Sequence, residues 1–182
     1  MNIMEFSFLC AIPRTAVLDS FFLAVTKIAG SYGQLWVIVA AVLLIFKKTR
    51  KAGLAVLLAY AMVFLVGQYG LKNLISRPRP CQIDLDFALL VDRPSSSSFP
   101  STHSAWAFGA ATAIFMRHKK LGAAAIIAAA LIAVSRMYLF LHFPTDVLAG
   151  IVLGVALGAL AHWITGRIWK MADKGNKAAS AA

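Results

Sequence analysis

Residues 121–165 read LGAAAIIAAALIAVSRMYLFLHFPTDVLAGIVLGVALGALAHWIT, two long apolar runs separated by a short polar turn. The runs cover about 121–140 and 146–165, and each supplies roughly the 20 apolar residues that a helix needs to cross a bilayer core of about 30 Å. Arg136 and His142 lie near the turn rather than in the middle of a run. The stretch therefore predicts a transmembrane helical hairpin whose polar turn lies at one membrane surface.

The composition extends this prediction to the whole chain. Of the 182 residues, 60% are hydrophobic and only 14% are charged, and the mean hydropathy is +0.78. Soluble domains average about 45–50% apolar and about 25% charged residues. Further apolar runs lie at about 32–46, 53–71 and 103–117. We therefore expect an all-α, polytopic transmembrane helix bundle with about five to six spans.

The two ends of the chain differ from this pattern. Residues 16–29 are apolar but contain Asp19 and Lys27, so we expect residues 1–30 to form an interfacial or re-entrant segment, with a sixth span as the alternative. Residues 171–182 are small, polar and charged, which predicts a disordered cytoplasmic tail. Residues 1–170 are expected to form a single membrane-embedded domain.

The net charge of +11 is concentrated in short segments that flank the apolar runs. These segments contain Lys47, Lys48, Arg50 and Lys51, then Arg117, Lys119 and Lys120, then Arg167, Lys170, Lys174 and Lys177. Cytoplasmic loops carry this excess of lysine and arginine, whereas a nucleic-acid-binding protein would need a basic face. We therefore expect a multi-pass protein of the inner (plasma) membrane and no nucleic-acid partner.

Gly150, Gly154 and Gly158 recur every four residues. This stripe of small residues predicts close helix packing within the chain, the favoured interpretation, with a dimer face as the alternative, so the oligomeric state stays open.

Alternating spans place three polar clusters together on the extracytoplasmic side. The clusters are Lys72 with Arg79-Pro80, then Pro100-Ser101-Thr102-His103, then Ser135-Arg136 followed by His142 and Asp146. Their cations break the positive-inside pattern, and a bound anion would explain why. The loop between the first two clusters contains a serine run, residues 95–98, that most simply predicts a flexible linker, with a mobile rim over the site as the alternative.

The third cluster has the spacing of an oriented base. His142 and Asp146 are four residues apart, with Pro144 at a predicted first helical turn. Asp146 could then accept a proton from one imidazole nitrogen and leave the other free as a nucleophile. Arg136 offers a planar set of donors suited to phosphate oxygens. A locally satisfied histidine and a snorkelling arginine are the structural alternatives.

The other two clusters add an anion site and an acid. Ser101 is a predicted N-cap, so backbone N–H groups and the positive end of a helix dipole point outward there. His103 would be available to protonate a leaving oxygen. Lys72 and Arg79 add two cations, and the flanking prolines stiffen the backbone of Arg79. The structural alternatives are an ordinary capped transmembrane helix with an interfacial histidine for the second cluster and a snorkelling lysine for the first.

Taken in order, the three clusters resemble the three-part signature of the type-2 phosphatidic-acid phosphatase superfamily. The resemblance covers residues 72–146, with the helix pattern extending it over most of the chain. One position departs from the signature, because Thr102 occupies the place where the family usually has glycine.

The resemblance implies a metal-independent lipid phosphatase that needs no cofactor. His142 would attack phosphorus to form a phosphohistidine, Asp146 would orient it, and His103 would protonate the leaving group and then activate water. The phosphoryl oxygens would be bound by Lys72, Arg79, Ser101, Thr102 and Arg136.

The implied substrate is a phosphorylated lipid in the bilayer. Short bacterial members suggest undecaprenyl diphosphate, and the alternative is a broad-specificity phosphatase for phosphatidylglycerol phosphate, phosphatidic acid or lipid A phosphate. Two non-enzymatic classes remain as hypotheses. One is a transporter of a phosphorylated lipid, which usually has ionisable groups near the bilayer midplane. The other is a catalytically inactive relative that only binds the lipid.

Overall fold

The computed structural model describes residues 3–179, with side chains as far as residue 174. These residues form helices joined by turns and loops, with no strand among them, which confirms the all-α prediction. The helices are α1 (Ile3–Cys10), α2 (Ala16–Ala29), α3 (Gln34–Ile45), α4 (Arg50–Val63), α5 (Lys72–Ile75), α6 (Pro80–Ile83), α7 (Thr102–Phe115), α8 (Lys119–Tyr138) and α9 (Pro144–Ala179). A π-helical segment, Phe64–Leu71, joins α4 to α5 without a break.

Helix α7 lies at the centre of the bundle. Ten of its 14 residues are buried, and it packs against α4, α8 and α9. The predicted stripe of Gly150, Gly154 and Gly158 is the contact face of α9. A Cβ atom on these glycines would collide with the backbone carbonyls of Ser101, Ala105 and Gly109 of α7. The stripe therefore serves close packing within the chain, the more favoured of its two interpretations.

The predicted number of five to six spans is not confirmed. By length and hydropathy, three helical stretches in residues 3–179 could cross a membrane: Arg50–Ile83, Lys119–Tyr138 and Pro144–Lys174. The pair α2 and α3 would make a fourth if its two halves form one span. Helix α7 falls short because 14 residues rise only about 21 Å at 1.5 Å per residue.

Helices α2 and α3 meet at a sharp bend of 55°. Gly30 and Gly33 lie in the break between the helices, and both adopt positive φ angles, +75° and +69°. Glycine adopts this backbone conformation without the steric cost that a Cβ atom would bring. The bend is compatible with a broken span or a re-entrant loop. It also places the carbonyl group of Gly30 inside the bundle, next to His103.

The described part of the tail is helical where the sequence predicts disorder. Helix α9 continues to Ala179, and residues 180–182 lie outside the described residues. Alanine, lysine and methionine favour helix, and extending an existing helix avoids the cost of nucleating a new one. Residues 171–179 are therefore polar but extend α9.

The basic loops lie at one end of the bundle and the three polar clusters at the other. The ammonium of Lys51 lies 4.8 Å from the ring centroid of Trp169 in the C-terminal half of α9. Arg117, after α7, donates to the backbone oxygen of His162 and the hydroxyl of Thr165 in the same half. The polar clusters instead meet where α5, α6, α7 and α9 begin and α8 ends.

Candidate active site

The polar clusters converge on a cavity of about 680 Å³. Six of the predicted site residues line it: Lys72, Arg79, Thr102, His103, Arg136 and His142. The other two, Ser101 and Asp146, are fully buried behind this surface. Residues separated by up to seventy positions in the sequence thus surround a single space large enough for a phosphate group and part of its substituent.

His142 presents one ring nitrogen to the cavity side and the other to Asp146. Its Nε2 lies 3.1 Å from Nη1 of Arg79, and its Nδ1 lies 3.8 Å from Oδ2 of Asp146. Because a guanidinium can only donate, Nε2 accepts this hydrogen bond and carries the lone pair. The proton of the neutral ring is then on Nδ1, facing the carboxylate. The distance of 3.8 Å is longer than a hydrogen bond.

The electrostatic surroundings keep the imidazole of His142 neutral. Burial lowers the pKa of His142 well below its usual value, and the neighbouring charges of Arg79, Arg136 and Lys72 lower it further. A contact with the backbone of Ser98 acts in the opposite direction, with a smaller effect. A neutral ring with its lone pair on Nε2 is the state that a nucleophile requires.

Arg79 binds the loop and the turn that form the cavity wall. Its Nε donates to the backbone oxygen of Ser96 at 2.8 Å, and its Nη1 donates to that of Leu141 at 3.0 Å. Its Nη2 donates to the hydroxyl of Ser96 and the backbone oxygen of Ser97. The arginine is therefore held in one orientation, with only 4% of its surface exposed. The serine run thus forms part of the cavity wall, as in the second of its two interpretations, and its flexibility stays a prediction.

The three cations of the cavity lack carboxylate partners. Lys72, Arg79 and Arg136 are each at most 7% exposed. None of them lies within 4.0 Å of a carboxylate oxygen in the described part of the chain. Arg136 donates instead to the hydroxyl of Thr26 at 2.6 Å, while its Nε is buried without a hydrogen bond. Buried cations without counter-ions are costly, so an anionic ligand would stabilise this arrangement.

The start of α7 lies at the cavity as predicted, but the hydroxyl of Ser101 turns away from it. Ser101 is the N-cap residue, and its hydroxyl pairs with that of Ser104 at 3.0 Å. Thr102 lines the cavity and donates from its hydroxyl to Gln68. Its φ angle is negative, since Ser76 and Phe140 are the non-glycine residues with positive φ in the described chain. Threonine therefore fits the position where the signature usually has glycine.

His103 is bound by the N-terminal part of the chain. Its Nε2 lies 3.0 Å from the backbone oxygen of Gly30, and a carbonyl oxygen can only accept, so the proton of the ring lies on Nε2. Thr26 and Lys27 of α2 line the same cavity. The N-terminal segment, which the sequence predicts as interfacial or re-entrant, thus contributes directly to the wall of the site.

Asp146 is surrounded by donors that sequence reasoning did not assign to it. Its Oδ1 accepts from Arg77 at 2.6 Å, and its Oδ2 accepts from the backbone N–H of Phe143 at 2.9 Å and from the hydroxyl of Ser98. Its backbone oxygen accepts from the N–H of Ser101, which ties the start of α9 to the start of α7.

Three residues that complete the site, Arg77, Ser98 and Glu5, were not assigned to it from the sequence. Arg77 was visible as a second arginine beside the first cluster, and Ser98 as the last residue of the serine run. Glu5 has a weaker signal, since it is the only glutamate of the chain and lies in an apolar segment. No group of three or more histidine, cysteine, aspartate or glutamate residues is placed to hold a metal ion within the described residues.

Comparison with known families agrees with this geometry. The model of the PAP2 superfamily matches residues 49–170, which include all three polar clusters. The chain is a member of the PAP2 superfamily. As a PAP2 protein with membrane-spanning helices, it is a membrane lipid phosphatase and hence a hydrolase. The resemblance inferred from the sequence is thereby confirmed.

Relatives and solved structures of PAP2 proteins extend the match over most of the chain. An undecaprenyl-diphosphatase of Sulfolobus acidocaldarius is 33% identical over 87% of this chain and 77% of its own. Phosphatidylglycerophosphatase B of Bacillus subtilis is 37% identical over 76% of this chain and 70% of its own.

Two crystal structures share the PAP2 fold of this chain. The transmembrane PAP2-type phosphatidylglycerolphosphate phosphatase of Bacillus subtilis gives a TM-score of 0.73 at 32% identity, covering 92% of this chain and 89% of its own. LpxE of Aquifex aeolicus gives a TM-score of 0.68 at 30% identity, covering 88% and 93%.

Proposed function

We propose that this PAP2 phosphatase hydrolyses a lipid diphosphate, with undecaprenyl diphosphate as the leading substrate, at the extracytoplasmic surface of the inner membrane. The observation that carries the proposal is the set of three buried cations without carboxylate partners, opposite Nε2 of His142. Their charge matches a phosphoryl group and exceeds what a neutral lipid headgroup needs. The undecaprenyl-diphosphatase of Sulfolobus acidocaldarius, 33% identical over 87% of this chain, supports this choice of lipid.

In this proposal the phosphoryl oxygens are bound by Lys72, Arg79 and Arg136, together with the backbone N–H of Thr102. Arg79 has a double role. In the free enzyme its Nη1 occupies the lone pair of His142 Nε2. A phosphoryl oxygen that takes over this donor would leave Nε2 free to attack, so substrate binding would itself activate the nucleophile.

The reaction then proceeds in two steps, formation of a phosphohistidine and its hydrolysis. The reaction starts with His103 protonated on both ring nitrogens, while its Nε2–H stays bonded to the backbone oxygen of Gly30. The lone pair of His142 Nε2 forms a P–N bond, the bond from phosphorus to the leaving oxygen breaks, and His103 gives its Nδ1 proton to that oxygen. A water molecule then gives a proton to His103 and attacks phosphorus, which breaks the P–N bond and releases inorganic phosphate. Asp146 stabilises the positive charge that the ring of His142 carries in the intermediate.

A second substrate class is a lipid phosphate monoester, since phosphatidylglycerophosphatase B is also similar to this chain. The proposed site contacts the phosphoryl group, which both classes share. The cavity is also lined by Lys27 and Asp92 near its rim, and these charges are placed to contact whatever is attached beyond that group.

A phosphate-release panel tests the proposal. The purified protein in detergent is given undecaprenyl diphosphate, phosphatidylglycerol phosphate, phosphatidic acid and lipid A, each with and without EDTA. We expect the diphosphate to be hydrolysed fastest, with EDTA having no effect, and the His142→Ala variant to release no phosphate from any lipid. Full activity in the folded His142→Ala variant would contradict the proposed nucleophile. Lipid transfer without hydrolysis in vesicles would favour the transporter hypothesis instead.

A further inference from the structure

The carboxylate of Asp146 is fully buried, and a buried carboxylate needs a counter-ion. Lys72, Arg79 and Arg136 do not supply it, because they face the cavity and lie more than 4.0 Å away. Arg77 supplies it from the other side, with Nη1 at 2.6 Å from Oδ1. The residue that orients the proposed nucleophile is therefore itself held by a cation outside the cavity lining.

Arg77 is shared with a second carboxylate, that of Glu5 in α1. Its Nη2 lies 2.9 Å from Oε2 of Glu5, whose side chain is only 10% exposed. Burial raises the pKa of Glu5, but the hydrogen bonds from Thr145 and the charge of Arg77 outweigh this effect, so the pKa lies below its usual value. Glu5 is therefore ionised at neutral pH, and Arg77 connects two carboxylates.

Glu5 also binds the first turn of α9. Its Oε1 accepts a hydrogen bond from the backbone N–H of Thr145 at 2.9 Å, one of the N–H groups that no residue of the helix itself can satisfy. Arg77 donates to the hydroxyl of Thr145 at 2.7 Å and lies over the ring of Phe143 at 4.3 Å. The residues on both sides of Pro144 are thus fixed by α1 and by Arg77.

The formal charges of this cluster leave an excess of one negative charge. Glu5 and Asp146 each contribute −1 and Arg77 contributes +1, which sums to −1. Without Glu5 the sum would be zero, because Arg77 would neutralise Asp146 alone. When His142 forms a bond to phosphorus, its ring becomes cationic, and a nearby negative charge in a buried site stabilises that state.

We propose that Glu5 is a positioning residue for the first chemical step, in which the P–N bond forms, the bond to the leaving oxygen breaks and His103 protonates that oxygen. Acting through Arg77 and Thr145, Glu5 holds the carboxylate of Asp146 beside His142 and leaves the cluster with a net negative charge. This inference rests on the proposed function, since it needs His142 to be the nucleophile.

The Glu5→Gln variant tests this role, because it keeps the shape and the acceptor oxygen but removes the charge. We measure the single-turnover rate constant of phosphohistidine formation with undecaprenyl diphosphate in detergent. We expect it to fall about 10- to 100-fold, with KM changed less than about twofold, because Glu5 does not contact the cavity. A loss of folded protein would lower the amplitude of the reaction and not its rate constant.

Asp19→Asn is the matched control. Asp19 is also an N-terminal carboxylate paired with an arginine, Arg14, and it accepts from the hydroxyl of Tyr138, but it has no contact with Asp146. We expect its rate constant to equal that of the wild type. A wild-type rate constant in Glu5→Gln, or an equal loss in Asp19→Asn, would overturn the proposal.

A double-mutant cycle separates an effect through Arg77 from an independent one. If Glu5 acts through Arg77, the loss of rate in the double variant Glu5→Gln/Arg77→Gln will be smaller than the product of the two single losses. Losses that multiply would contradict this route. If Glu5→Gln yields no folded protein, Glu5→Asp decides, since its shorter carboxylate cannot keep both contacts, and a wild-type rate constant there would overturn the proposal.

The proposed function and this inference fail in distinguishable ways. An active His142→Ala variant would refute the proposed nucleophile whatever Glu5 does. An inactive His142→Ala variant, together with a fully active Glu5→Gln variant, would refute only the role of Glu5.

Discussion

At the scale of single residues, Arg79 connects the architecture of the site with its chemistry. It is the only predicted phosphate ligand that, in the described structure, also contacts the proposed nucleophile. Its remaining donors hold the serine run and the turn after α8. The same side chain therefore shapes the cavity wall and controls access to the lone pair of His142.

Arg79→Lys keeps the charge but removes the planar set of donors. We expect a loss of stability of about 1–3 kcal/mol, because the backbone oxygen of Leu141 loses a buried partner and those of Ser96 and Ser97 lose partly buried ones. We also expect a fall in kcat of about 10²-fold or more, since the misplacement of one catalytic group has this effect. Thermal unfolding in detergent and steady-state kinetics measure the two effects. A variant with unchanged stability would contradict the structural role of Arg79.

His103 should matter differently for the two substrate classes. A diphosphate releases a stable phosphate anion, whereas a monoester releases an alkoxide that needs a proton. With His103→Asn we therefore expect phosphohistidine to form from undecaprenyl diphosphate and to accumulate, because the water of the second step lacks its base. From phosphatidic acid we expect no intermediate. Acid-quench trapping of the phosphoenzyme measures both, and equal accumulation from the two lipids would argue against His103 as the acid.

At the scale of elements, the site depends on how closely α7 and α9 approach. The start of α7 carries Thr102 and His103, and the start of α9 carries Asp146. The glycine stripe sets the distance between them, because any Cβ atom at Gly154 would meet the backbone oxygen of Ala105. The backbone bond from Ser101 to Asp146 adds a direct connection between the two helix ends.

Gly154→Val should therefore separate α7 from α9 and destabilise the protein. Overpacking of a tight contact typically costs about 1–3 kcal/mol, and backbone atoms on the opposite side cannot move aside as a side chain could. We expect a lower midpoint of thermal unfolding together with a loss of phosphatase activity. Val152→Ala on the exposed face of α9, where Val152 is 69% exposed, is the control and should change stability by less than about 0.5 kcal/mol. Equal effects of the two substitutions would contradict this account of the stripe.

At the scale of the whole molecule, the basic loops and the cavity lie at opposite ends of the bundle. Because basic loops favour the cytoplasm, we expect the cavity to open on the extracytoplasmic side. Three cations without carboxylate partners lie at that end against this rule, and in the proposed function the charge of the lipid phosphate would compensate for them.

Thiol labelling in intact cells tests this orientation. In a Cys10→Ser background, a cysteine introduced at Ser95 beside the cavity should react with a membrane-impermeant maleimide. A cysteine at Lys48 in the basic loop should react only after the membrane is permeabilised. Cys81 is buried and should contribute little in either case. The reverse labelling pattern would place the cavity on the cytoplasmic side.

Much of this protein could be predicted from its sequence because the signals are local. The apolar runs predict membrane helices, the four-residue spacing of His142 and Asp146 places both at the start of one helix, and the basic loops predict orientation. The residues of each polar cluster were identified for the same reason, since they lie close to one another in the sequence. The span count was less accessible, because the short apolar run at 103–117 could extend into its flanks, and the structure ends the helix at Phe115.

The sequence by itself determined the helical membrane fold, the phosphatase family and six of the residues that line the cavity. Only the tertiary structure decided how Asp146 is held. Its contact with Arg77 joins residues 69 positions apart, and the contacts of Glu5 with Arg77 and Thr145 span 72 and 140 positions. No periodicity or motif spacing encodes such pairs. They follow from the meeting of α1 and the loop after α5 at the start of α9, which brings a buried carboxylate to the guanidinium of Arg77.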